Sequence, residues 1–402
     1  MKILLWGLFL LTPMVSMGQD VCPTPASLND ILECLKERHQ LIRLKDLEVE
    51  GTQDLDKVLG QRPNPVLDVQ TVHSGDARQT QIILSQELDL GGRLKALRSK
   101  GSLLHQVRRN ELAVTQEQVI EEVLLSIHHL IHLNETLEVN KEIHSSLKDV
   151  IAALRKRPAL NPEQEASLLN FKLQQAEINN LVSLLLDQEE EILLFFNLNG
   201  GYKKEDVLNV MENHHHPLDI ERSEQKISLN LERLGLETKL AEKDLDLQKA
   251  VPWEGITFGP MFMDDKMEIV SEKLYGVAFT MPIPVWQTNG AGKAMASILH
   301  SNTNIQYSLM KKKEDLQKDS LLGRVDNLKK TLGNLPKEDE LLRTHRRIEK
   351  LYSQGLITPA SFLDSHRIWR DVISTKLELE EKILKLTIDY YKLTGKLNEV
   401  HL

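Results

Sequence analysis

His128 and His132 stand four residues apart in a stretch of helical periodicity, with His129 between them. On a helix the outer two share a face and could hold a metal ion. His214-His215-His216 forms a second cluster near the middle of the chain. A metal site needs more ligands and supporting hydrogen bonds, and polar surface histidine is the plainer account of both groups. Asp187, Glu189, Glu190 and Glu191 would either line a passage that favours cations or belong to a solvated helix face. The two cysteines, Cys22 and Cys34, could pair in an oxidising compartment or remain free thiols. A lipidated Cys22 would want Leu at −3 and a small residue at −1, whereas Gln19-Asp20-Val21 precedes it. No phosphate-binding loop, nucleophile elbow, HExxH or zinc-finger spacing occurs, so neither an enzyme nor a cofactor is expected.

The elements that carry these residues are unlike those of a globular domain. Aromatic residues make up 4% of the 402 residues and charged residues 27%, the profile of long helices and coiled coils. A net charge of −9 argues against nucleic acid as a partner. At the N-terminus, Met1-Lys2 is followed by an apolar run from Ile3 to Val15 and by small residues at Ser16 and Gly18. This order predicts a cleaved secretory signal over 1–18; the run is shorter than the roughly 20 residues of a membrane-anchoring helix.

The rest reads as two copies of one plan, 19–200 and 201–402. Gln86 to Arg93 ends an extended stretch and opens a long helix, and Met281 to Lys293 does the same in the second half. Gly91, Gly92, Gly290 and Gly292 mark these strand-to-helix turns. Phe195-Phe196-Asn197-Leu198-Asn199-Gly200 closes one half and Tyr390-Tyr391-Lys392-Leu393-Thr394-Gly395 the other, with Pro162 and Pro359 as matching interruptions. Each half then predicts a helix (26–60, 217–250), a strand pair (66–73 and 80–90; 255–263 and 274–285), a very long helix (93–156, 292–352) and a return helix (162–198, 359–394). Val123, Leu130 and Leu137 fall seven apart and Val325, Leu328, Leu332 and Leu335 step by three and four, giving coiled-coil seams. Pro336 should kink or break the second long helix.

The strands decide the class. Tyr275, Val277, Phe279, Met281 and Ile283 alternate with smaller residues at period 2. Trp253 and Trp286 flank the second hairpin at one end, and with Tyr275 and Phe279 they are the candidate membrane-interface aromatics. The competing reading is two core hairpins of a soluble domain. Four strands cannot seal a barrel, and unpaired edges in hydrocarbon cost several kcal/mol per group. Three chains sharing one 12-stranded barrel would solve this, with the helices hanging below as a tube.

The order of these features resembles the TolC-like outer membrane efflux family. The matching stretches are Arg62-Pro63-Asn64-Pro65 before the first strand, Leu90-Gly91-Gly92-Arg93, Leu335-Pro336-Lys337-Glu338, and Tyr352-Ser353-Gln354-Gly355-Leu356-Ile357-Thr358-Pro359 with Ala360 to Asp364. The compact length looks most like the heavy-metal branch. The resemblance implies a mainly α fold, with long coiled-coil helices forming an α-barrel continuous with a 12-stranded β-barrel shared by a homotrimer, four strands per chain. It implies an outer membrane location and a passive exit duct served by a periplasmic adaptor and an inner-membrane transporter, of the RND type. Docking would fall at Leu160, Asn161, Gly355, Leu356, Ile357 and Thr358, although the first tip lacks the family's glycine; Asp364 is a gate candidate. The alternatives are the duct of a type I protein secretion system and a soluble periplasmic coiled-coil adaptor, the latter disfavoured by the lack of a compact β-domain.

Overall fold

The computed structural model describes residues 22–75, 77–211, 226–266 and 271–399. The expected signal over 1–18 and the His214-His215-His216 cluster lie outside the described residues. Among the described residues, three short helices come first: α1 (Leu28–Arg38), α2 (Gln40–Gly51) and α3 (Leu55–Leu59). Strands β1 (Val66–Ser74) and β2 (Ala77–Glu87) lead into α4 (Arg93–Arg155), which returns as α5 (Pro162–Gly200). After α6 (Lys204–Met211), the second half runs α7 (Leu229–Ala250), β3 (Thr257–Lys266), β4 (Ser271–Thr280), α8 (Gly290–Gly333), α9 (Glu338–Ser353) and α10 (Pro359–Leu393).

The helix expected over 26–60 is thus three helices. His39 breaks the first from the second: its backbone leaves helical space at ψ 130° and its ring nitrogen accepts from the Leu41 N–H at 3.3 Å. The long helix expected over 292–352 ends at Gly333 and resumes at Glu338, because Pro336 supplies no N–H for the next turn. Strand β4 stops at Thr280, short of 285, and β2 at Glu87, short of 90. Pro282 and Pro284 remove two ladder donors just beyond β4.

The two halves repeat small details. Asn161 caps α5 with Pro162 at the first helical position, and Thr358 caps α10 with Pro359 in the same place. Gly201 and Gly395 end the return helices at φ 71° and 64°. The N–H of Cys22 donates to Gly200 O at 2.9 Å, and in the second half Lys226 donates to Thr394 O at 3.0 Å.

At about 1.5 Å per residue, the 63 residues of α4 span roughly 95 Å. The core is therefore strung along a rod. One cluster joins α1, α4, α5, α6 and α10 around Ile31, Leu35, Ile120 and Phe196. A second, near the α4–α5 and α9–α10 turns, is built on Phe171, Phe362, Trp369 and Ile151. A smaller cluster between α8 and α10 lies beside the first, and another between α4 and α5 lies between the first and the second. Val123, Leu130 and Leu137 are all buried, as the heptad requires.

Cys22 and Cys34 form a disulfide that ties the segment before α1 to its last turn, at the edge of the first cluster. Closing so short a loop removes unfolded-state freedom worth about 3 kcal/mol. Cys34→Ser should therefore lower the protection of α1 amides against hydrogen exchange by about a hundredfold, with α10 near the far turn unaffected. Equal protection in the variant would show that packing alone holds α1.

Candidate functional site

The four strands form one antiparallel sheet in the order β1-β2-β3-β4. The central β2–β3 pairing joins the two halves of the chain, and β1 and β4 are left as edges. Residues directly opposite one another share a face, so the registers define two surfaces. On one face the rows run Val69, Ile82, Phe262, Tyr275; then Leu67, Leu84, Val277 with Pro260; then Gln86, Phe258, Phe279. Tyr275, Val277 and Phe279 are 80, 68 and 57% exposed, so this apolar band has no cover of its own. Towards the hairpin ends the same face turns polar, through Thr71, Thr80, Asp264 and Lys273.

The other face is mixed, with Val66, Val72, Ile83 and Leu274 set among small, polar and acidic residues. It carries Asp68, Gln70, Gln79, Gln81 and Glu87 on the first hairpin, and Gly259, Met261, Met263, Asp265, Glu272 and Gly276 on the second. Gln79 and Gln81 donate to the Met263 and Met261 sulfurs at 3.0 and 2.9 Å. Asp68, Glu87, Asp265 and Glu272 meet no lysine or arginine among the described residues of this face. Gly259 is required by close approach, since a Cβ there would lie 1.8 Å from Leu84 O.

Strand-to-helix junctions fix the sheet on the rod. Asp89 accepts from the Arg93 and Leu94 N–H groups at 2.7 and 2.9 Å, capping α4, while Gly92 takes φ 73°. Gly91 packs on the end of α7, where a Cβ would meet Ala250 O at 3.1 Å. In the second half the left-handed residue is Asn289, at φ 54°, and Gly290 and Gly292 already belong to α8. Asparagine tolerates this region because its side chain bonds locally; here Asn289 Nδ2 donates to Gln248 O at 2.8 Å. Arg93 pairs with Glu254 at 3.1 Å, linking the two junctions. Trp253 and Trp286 sit on either side of the second hairpin at this end, and Trp286 is almost fully exposed.

The opposite end of the rod is made by two turns. Asn161 is exposed and Leu160 half-buried in the first; in the second, Gly355 takes φ 71°, Leu356 is exposed and Ile357 packs against the Phe171 cluster. Asp364 is exposed and already paired with Arg367 on its own helix at 2.6 Å.

The histidine and acidic groups fall elsewhere. Burial among helices pushes the His128 imidazole down to about 4, with His132 beside it. Among the described residues, no third ligand atom closes around this pair; the close grouping is His345, Glu349 and His366, which come from two helices and show no joint motif in the sequence. The acidic run does not act as a unit: Glu189 is buried and paired with Lys204 at 2.6 Å, while Asp187, Glu190 and Glu191 are exposed. Glu117, buried beside Glu121 on α4, is pushed up to about 7 by desolvation despite the nearby Lys392. Among the described residues no helix is long and apolar enough to cross a membrane.

No family model matches the chain, and no curated protein matches it in sequence. Solved structures do. CusC, described as forming a transmembrane channel, superposes with a TM-score of 0.71 at 13% identity, covering 94% of each chain. The outer-membrane channel OprN gives 0.72 at 12%, over 92% of this chain and 89% of that one. The outer membrane protein VceC from Vibrio cholerae gives 0.68 at 11%, over 92 and 96%. At such identities the likeness is one of fold, and it extends over nearly the whole described chain.

Proposed function

We propose that this chain, which has the TolC-like channel fold, is one third of a passive exit duct through an outer membrane and the compartment below it. The observation that carries the proposal is the open four-stranded sheet at the end of a rod of about 95 Å, apolar on one face and acidic on the other. Its edges need partners in hydrocarbon, and sister chains joining β4 to β1 supply them. Uncovered apolar stripes on the rod fit the same arrangement. Met295, Ile298, Ile305, Leu309 and Leu316 are exposed along α8, and Leu169, Leu173, Leu184, Leu194 and Leu198 along α5.

In the homotrimer the apolar band faces lipid, with Phe258 and Phe279 at its inner rim, Tyr275 at its outer rim and Trp253 and Trp286 below. Asp68, Glu87, Asp265 and Glu272 then line the lumen and favour cations over anions. The halves 19–200 and 201–402 act as two copies of one unit, with 1–18 as the export signal. The turns at Leu160–Asn161 and Gly355–Thr358 receive a periplasmic adaptor, which connects to an inner-membrane transporter of the RND type. The tip end also holds the constriction, with Asp364 as the candidate carboxylate.

The test is fractionation followed by reconstitution. The protein should leave the outer membrane in detergent as a trimer and give steady single-channel currents in planar bilayers. In a salt gradient the reversal potential should favour potassium over chloride. A monomer recovered from the soluble periplasmic fraction would end the proposal.

A further inference from the structure

A cluster remote from the sheet is not accounted for by a duct. His345 on α9 and His366 on α10 are both 3% exposed, and the Nε2 atom of each is buried without a hydrogen-bond partner. An unpaired buried ring nitrogen is costly, so this arrangement calls for an explanation. His366 Nδ1 lies 2.8 Å from Phe362 O, the bond that fixes the proton on Nδ1 and leaves Nε2 as a free lone pair. His345 stacks on Trp369 with ring centroids 4.1 Å apart and meets His366 edge-on at 4.8 Å, so neither ring can swing away.

Two carboxylates complete the surroundings. Glu349, one turn along α9, places Oε1 3.4 Å from His345 Nε2, and Glu142 from α4 places Oε1 at 3.7 Å. The ligand atoms of His345, Glu349 and His366 all fall within 4.8 Å of one another. These separations are too long for good hydrogen bonds. The 3.4 Å between Glu349 and His345 matches the edge of a tetrahedron with metal–ligand bonds of about 2.0–2.1 Å, roughly 3.3–3.4 Å, and the longer separations would have to shorten for the group to close on an ion. Burial keeps both imidazoles neutral, with His345 pushed down to about 4, and crowding by Glu349 adds to burial in raising the Glu142 carboxyl. Arg346 and Arg370 also face the group; Arg370 is drawn off towards Glu177 at 3.8 Å.

We propose that His345, His366 and Glu349, with Glu142 or a solvent molecule as fourth ligand, form a binding site for a divalent transition metal of the zinc type. Two imidazoles and carboxylate oxygen are a borderline donor set that suits zinc better than calcium or magnesium. The site lies within a helix junction rather than on the acidic sheet face, so it serves structure and not passage. It clips α9, the segment between the Pro336 break and the Gly355 turn, to α10, and to α4 as well where Glu142 is the fourth ligand. Bound metal therefore stiffens the α9–α10 hairpin.

The experiment uses the full-length trimer in detergent, stripped with EDTA and dialysed against micromolar zinc. Elemental analysis should show one more zinc per chain in the wild type than in His345→Gln or Glu349→Gln. Cobalt in place of zinc should give the visible bands of a tetrahedral site in the wild type alone. Each substitution should weaken binding at least about tenfold, the scale on which even outer-shell changes act. His128→Gln should bind like the wild type. Glu349 is partly exposed, so Glu349→Gln carries the test if His345→Gln does not assemble. Equal zinc in wild type and Glu349→Gln, or a wild type that retains none, overturns the site.

Discussion

Val277→Arg is expected to abolish the detergent-stable trimer, whereas Leu274→Arg, three residues away on the same strand, leaves it assembled. The two positions lie on opposite faces of β4: Val277 shares a row with Pro260, and Leu274 with Met263 and Gln81. If the apolar face meets lipid, an arginine there costs roughly 2–4 kcal/mol near the bilayer midplane. Three symmetric copies bring this to roughly 6–12 kcal/mol per assembly, comparable to the whole stability of an ordinary domain. An arginine on the acidic face instead meets water and Asp265 or Asp68, and its effect should be a loss of cation preference without loss of assembly. Outer membrane fractionation and unheated gel mobility read the first variant; the reversal potential reads the second. If Leu274→Arg destroyed the trimer and Val277→Arg did not, the faces would be reversed and the lumen assignment would fall.

The second large effect is expected from Phe171→Ala. Phe171 is fully buried where the first half's return helix meets the second half's turn, edge-on to Tyr352 and Phe362 at centroid distances of 5.9 and 6.0 Å. Removing a buried phenyl ring costs about 3–5 kcal/mol, from lost transfer energy and the cavity left behind. Because the cluster is local, the loss should be local. Amide protection in α9 and the first turns of α10 should fall at least about a hundredfold, while α1 and the Ile120 region keep theirs. Lys172→Ala, exposed and next in sequence, should change neither. A uniform loss along the whole rod would mean that the clusters unfold as one unit.

The parts of this fold that could be read from the sequence are those enforced by backbone chemistry. Asn161-Pro162 and Thr358-Pro359 announce helix starts because proline has no N–H to satisfy and the residue before it caps. Gly92 and Gly355 announce turns because φ near 70° excludes most side chains. The heptad of Val123, Leu130 and Leu137 announces a buried seam. What could not be read depends on contacts between distant segments. The β2–β3 pairing that fuses two hairpins into one sheet has no local signal, nor does the break at His39, where there is no glycine or proline and a ring nitrogen caps the start of the next helix. Likewise His345 and Glu349 are spaced for one face, but only tertiary packing brings His366 against them. The paired histidines of α4 gave the stronger local pattern and the emptier surroundings.

The beaded interior has one more consequence. Because Phe196, Leu137 and Phe171 belong to separate knots along the same shaft, no single nucleus has to yield for one end to loosen. The molecule should behave as a rope of weakly linked knots, softening at the Phe171 end while the disulfide-bound Ile31 knot, midway along the shaft, stays tied. Movement at the tip would then proceed without the middle of the shaft ever being undone.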